Sequence, residues 1–176
     1  MVKLYRTSGG VTEYWEAWFT ATEVTIHWGK VGEKGENREL PLEASIHPSE
    51  IVKRESKHLR AAGFKPKKAN EMHSLVIQYH VDGHGTVNEL DRRVRVEELM
   101  NECLGWCGLG HCDGGDMGSG QVNVFCYVVD VAIAERVIVG DLKEHGLLEG
   151  AVIAERTEDA AKVLWPHDYV GTFGVL

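Results

Sequence analysis

A chain of 176 residues with 43% hydrophobic residues, 26% charged residues and a formal net charge of −8 has the make-up of a globular protein, which excludes a disordered or collagen-like chain. No apolar run approaches the roughly eighteen residues of a membrane span, and Met1-Val2-Lys3-Leu4-Tyr5-Arg6 has no apolar stretch behind its charges, so neither a membrane partner nor a secretory signal is expected. Charge is divided unevenly: residues 1–68 carry 12 basic and 9 acidic side chains, and residues 69–176 carry 7 and 18. The polar stretch around Pro66 marks the change, which gives an expected division into a first domain over 1–66, a linker over 67–71 and an acidic domain over 72–176. In chain order, Tyr14 to Thr20 is aromatic-rich and reads as a strand, and Glu23 to Trp28 alternates and reads as its antiparallel partner. A glycine-marked loop follows (glycines at 29, 32 and 35), then a third strand over Asn37–Leu42. A helix from Pro48 to about Ala62 is expected, with Ser49 as N-cap, Gly63 at the C′ position and Phe64 folding back on the last turn.

The order Tyr14-Trp15-Glu16, strand, Trp28-Gly29-Lys30-Val31-Gly32-Glu33-Lys34-Gly35, strand, helix carrying Lys57, then Gly63-Phe64 resembles the WGR domain over about residues 3–66. That family occurs in poly(ADP-ribose) polymerases and in assorted bacterial proteins. The resemblance implies a small antiparallel sheet with one helix that engages DNA ends, the motif's tryptophan and basic residue lying near the terminal nucleotide. Trp28 and Lys30 would be the contact residues, with lysine standing where the family name implies arginine. Lysine keeps the charge and loses the planar fork that grips phosphate through two bonds. The residue types suit such a site: an indole stacks on a base for ~1–3 kcal/mol, and cations and loop N–H groups attract phosphate. Gly29, Lys34 and Arg38 join the candidate set along the loop and strand. Lys53 and Lys57 join it on the helix, where 53, 57 and 60 share a face. The alternative for Trp28 is a place in the small core, with Lys30 solvated. Trp15 and Trp18 read as core or interface.

In the second half, Met72–Val81 reads as a strand with Leu75, Ile77, Tyr79 and Val81 on one face. A helix over about Asp91–Trp106 follows, its apolar residues recurring at i, i+3 and i+4. Residues 108–120 read as a long glycine-rich loop that holds one uncertain strand. Gln121–Val129 is the strongest strand, with Val122, Val124, Cys126 and Val128 on one face. Asp130 caps a helix over Val131–Glu144, Ala151–Glu155 is a strand, and Thr157–Leu164 reads as a short helix. The order is β-α-(β)-β-α-β, so the fold class is α+β: a small antiparallel sheet with one helix, followed by a ferredoxin-like βαββαβ domain with a C-terminal tail. The run from Asp113 to Phe125 is also similar to small bacterial ferredoxin-like domains.

The cysteines Cys103, Cys107, Cys112 and Cys126 read as reduced thiols of a cytoplasmic protein. Cys103, Cys107, His111 and Cys112 lack a Cys-x₂-Cys pair, and His80-x-Asp82-x-His84 is a weak cluster, so no metal is expected at either. Cys112 beside His111 and Asp113 does not have the spacing of a nucleophilic triad, and no nucleotide-loop or catalytic signature is present. The expectation is a non-catalytic, cofactor-free accessory protein that contacts DNA through its first domain, with a possible protein partner for residues 72–176. The alternative is a protein-interaction or immunity-type factor that binds no nucleic acid.

Overall fold

A computed structural model describes residues 1–42, 46–158 and 160–175. It is an α+β structure with two antiparallel sheets. The first sheet has the order β1-β2-β3-β4, formed by Val2–Ser8, Val11–Phe19, Glu23–Lys30 and Glu36–Pro41. β1 has no counterpart among the expected strands. It is short and carries charges at Lys3 and Arg6, and it pairs along its whole length with β2, from Val2 opposite Ala17 to Ser8 opposite Val11.

The helix α1 (Pro48–Ala61) crosses one face of this sheet. Its Ile51 and Val52 meet Leu4, Trp15, Ala17, Val24, Ile26 and Phe64 in a closed apolar cluster. The cap differs from the expected one: His47 is the N-cap, its Nδ1 accepting from the Ser49 backbone N–H at 3.3 Å, and Pro48 opens the helix. Proline fits there because its missing N–H is one of the donors a helix start leaves unpaired. At the other end Gly63 has φ +94°, and the Phe64 N–H donates to Leu59 O at 3.0 Å, a turn that returns the phenyl ring to the core.

The second sheet has the order β6-β7-β5-β8-β9, formed by Gly110–Gly118, Gln121–Val128, His73–His80, Ala151–Arg156 and Ala161–Trp165. The helices α2 (Val87–Trp106) and α3 (Val131–Glu144) lie on one face. Val96, Met100 and Leu104 of α2, and Ala134, Ile138 and Leu142 of α3, pack with Leu75, Ile77, Tyr79, Val122, Val124, Cys126 and Val128. On the opposite face, Gln78 Nε2 donates to Asn123 Oδ1 at 2.8 Å and to Gly174 O at 2.9 Å, so the tail covers the sheet's outer polar residues.

Three elements depart from the sequence reading. α2 begins one turn earlier than Asp91, because Thr86 and Glu89 close a capping box. Most of the expected loop 108–120 is the edge strand β6. Its glycines admit close strand approach: a Cβ on Gly115 would lie 2.2 Å from Asn123 O. The expected helix over 157–164 includes residue 159, outside the described residues, and its second half is β9, paired with β8. Among the described residues no helix is long and apolar enough to cross a membrane.

The halves share a core. Tyr5, Tyr14 and Val31 of the first sheet belong to the same buried cluster as α2 and α3, and the Gly32 N–H donates to Cys107 O at 2.8 Å. Gly108, at φ +61°, lies against the Tyr14 ring, and a Cβ there would stand 2.1 Å from Cδ1. Gly108→Ala therefore meets both an adverse φ and a steric clash at this seam. It is expected to destabilise the whole chain by about 2 kcal/mol or more, measured as a fall in the urea midpoint.

Candidate functional site

The antiparallel register explains how the first sheet divides its side chains. Leu4, Trp15, Trp28 and Glu36 are successive cross-strand partners and face α1. Lys3, Glu16 and His27 are partners on the other face, toward α2. One face therefore carries the half-buried tryptophan of the Trp-Gly-Lys run, and the other carries a buried polar chain.

Trp28 packs on the α1 cluster with part of its ring open. It stands between two grooves. One, of about 330 Å³, is bordered by Lys30, Glu33, Lys34, Glu36 and Phe64. The other, of about 260 Å³, is bordered by Arg38, Glu55 and His58. Lys30 and Lys34 are exposed at the first groove. Glu13 shares that rim, with its carboxylate held by Arg6 at 2.6 Å. Arg38 is tied to Glu55 of α1 across the second groove. Of the expected set, Trp28, Gly29, Lys30 and Lys34 come together, and Arg38 adjoins them in an ion pair. Lys53 does not join them: it borders a separate groove on the far flank of α1, with Phe19 and Arg60. Lys57 is exposed on the outer surface of the helix.

The glycines of the run serve a different purpose from phosphate approach. A Cβ on Gly29 would lie 2.9 Å from the Gly35 Cα, and one on Gly35 would lie 2.2 Å from the Tyr14 hydroxyl. The loop crosses directly over the Tyr14 phenol, and only glycine leaves room for it.

Beneath that loop lies an arrangement the sequence reading did not single out. Lys3 Nζ is 3.0 Å from Glu16 Oε2, and His27 Nδ1–H donates to Glu16 Oε1 at 2.7 Å. His27 Nε2 is 2.9 Å from the Tyr14 hydroxyl, which donates to Trp106 O of α2 at 3.3 Å. His27 is fully buried and Glu16 nearly so. The rings of Tyr14, Trp18 and Trp106 stand edge-on around the imidazole, with centroids 5.0, 6.3 and 4.9 Å away. A cavity of about 380 Å³ between the halves opens beside Trp18 and Trp106. The signal that could have found this chain is parity. Aromatic residues occupy both faces of β2, Trp15 on one and Tyr14 and Trp18 on the other, which is the pattern of a strand covered on both sides.

Cys103 and Cys107 border the second core, and burial, followed by the Asp141 carboxylate, raises both thiols. His80, Asp82 and His84 are exposed at the end of β5. Among the described residues no group of three or more His, Cys, Asp or Glu is placed to hold a metal ion. Compared with family models, curated proteins and solved structures, the chain matches none.

Burial raises the Tyr79 phenol to about 12, and burial followed by the Glu16 carboxylate raises Tyr5 and Tyr14 as well. These groups favour folding while the phenol is neutral. Their contribution is complete below about pH 10, where unfolded tyrosine keeps its proton, and is lost as pH climbs toward 12. Alkaline titration of tyrosinate absorbance is expected to show these phenols ionising together with loss of the circular dichroism signal. Tyr14→Phe leaves the buried His27 Nε2 without its partner and is expected to cost about 1–3 kcal/mol in chemical denaturation.

Proposed function

We propose that the chain is a non-catalytic nucleic-acid-binding accessory protein whose first half, read as a WGR-like domain, contacts a DNA end through Trp28. The observation that carries this reading is the open part of the Trp28 ring between two grooves, with Lys30 and Lys34 exposed at its rim. The resemblance implied a small antiparallel sheet with one helix, and the four-stranded sheet crossed by α1 supports the assignment to that extent. The order β6-β7-β5-β8, with two helices on one face, supports reading the second half as a ferredoxin-like split βαβ unit.

Stacking dominates this grip. Glu33 and Glu36 share the groove with the two exposed lysines, so the phosphate attraction is small. Two lysines engaging two phosphates of a duplex give a slope of log affinity against log salt of about −2, at 0.9 per phosphate. Fluorescence anisotropy with blunt, nicked and single-stranded DNA across a salt series tests the reading. Trp28→Ala is expected to weaken binding by about 1–3 kcal/mol, Lys30→Glu to weaken it and flatten the salt slope, and Lys53→Glu to matter less. Binding untouched by Trp28→Ala would overturn it.

A second reading, an accessory factor that binds protein, rests on α2. Val87, Leu90 and Val94 are 71%, 39% and 38% exposed along one stripe of that helix in the acidic half. Absence of DNA binding at low salt, together with a partner lost in Leu90→Glu, favours this second reading.

A further inference from the structure

Cys112 on β6 and Cys126 on β7 are direct cross-strand partners. Two observations fix the kind of pair. Val129 N–H donates to Leu109 O at 2.9 Å, which makes Leu109 and Val129 a hydrogen-bonded rung. Rungs alternate in an antiparallel ladder, so His111 with Tyr127 is bonded and Cys112 with Cys126 is not. Independently, the Cys112 N–H points away from β7, donating to Asn101 Oδ1 of α2 at 3.0 Å. In an unbonded rung the Cα atoms lie about 4.5 Å apart with side chains close together, inside the range of about 4.4–6.8 Å that a disulfide spans. Both thiols are free in the structure and face one another in the core beneath α2.

We propose that Cys112 and Cys126 form a redox dithiol, closed by a peroxide into a cross-strand disulfide. The Cys112 sulfur attacks one peroxide oxygen; the O–O bond breaks, and hydrogen peroxide leaves a sulfenic acid and one water. The Cys126 sulfur then attacks the Cys112 sulfur, the S–O bond breaks, and a second water leaves as the S–S bond forms. Two thiols and one peroxide thus give one disulfide and two waters, with sulfur oxidised and oxygen reduced.

The roles of the two sulfurs follow from their surroundings. The neighbouring Cys126 thiol holds the Cys112 thiol below its ordinary value, against burial and the Glu97 and Asp113 carboxylates, and the Cys112 S–H donates to Gly114 O at 3.7 Å. The Cys112 side chain, with burial, raises Cys126, and Cys103 and Cys107 are raised as well. Cys112 is also the member of the pair with residual exposure, 8% against 0% for Cys126, on an edge strand that a small peroxide can reach. Cys112 therefore attacks first and Cys126 resolves.

The test uses the whole reduced chain. Hydrogen peroxide is added, remaining thiols are alkylated in denaturant, and the protein is weighed intact and mapped by peptides. The expected result is a fall from four alkylated cysteines to two, restored by dithiothreitol, with one linked peptide pair joining residues 112 and 126. Cys126→Ser is expected to stop at a sulfenic acid on Cys112, trapped by dimedone, and Cys112→Ser to give no trapped adduct. A linkage through Cys103 or Cys107, over-oxidation without any linkage, or four thiols surviving peroxide would overturn the proposal. The wild-type peptide map decides the matter even if a serine variant fails to fold.

Discussion

Tyr14 holds the two halves of this protein together. Its ring is buried against Gly108 at the end of α2, and its hydroxyl bridges His27 of the first sheet and Trp106 O of α2. The inner face of the first sheet carries Glu16 and His27, which water would solvate well and an apolar partner would not. They are buried because they satisfy each other: the carboxylate takes Lys3 on one oxygen and His27 on the other, and the imidazole reaches the phenol. Among the described residues no buried side-chain nitrogen or oxygen lacks a partner. Desolvation offsets most of the Coulomb gain of such a chain. A docking of the halves that broke it would leave a buried charge without its partner.

That constraint explains the glycines in and after the Trp-Gly-Lys run better than a ligand does. Gly29 and Gly35 are small because the loop passes over a phenol, and Gly32 because its backbone sits on Ile133 and bonds Cys107. Trp28 and Lys30 are the members of the run that this packing does not use up. Their side chains point to the opposite face, where the groove lies. Scaffold and candidate grip thus alternate along a single strand, as the period of two along a strand allows.

The sequence was most legible where one periodicity dominated. The inward face of β5, the face of β7 with Val122, Val124, Cys126 and Val128, and the Asp130 cap, which accepts from Ile133 N–H at 2.9 Å, all lie where their patterns put them. It was least legible where tertiary pairing overrode composition. β6 contains Gly110, Gly114, Gly115 and Gly118, poor strand formers in isolation, and is a strand because β7 and α2 enclose it. The charges of β1 hide its strand character in the sequence, and they are tolerated in the sheet because they are paired across strands, Lys3 with Glu16 and Arg6 with Glu13. At the candidate site, Trp28 and Lys30 are the residues the resemblance implies, and Lys34 follows from its place on the same loop. The separation of Lys53 from them, and the pairing of Arg38 with Glu55, depend on how α1 lies across the sheet, which no local pattern specifies.

The shared core has a practical consequence for anyone dissecting the molecule. The charge boundary near Pro66 invites expression of either piece alone, yet a fragment stopping there would bare Tyr14, Val31 and His27 to solvent and leave the phenol and imidazole without their lid. Such a piece is expected to be sticky and poorly soluble for reasons unrelated to its biological role, and measurements on it would describe an exposed seam in place of the native surface.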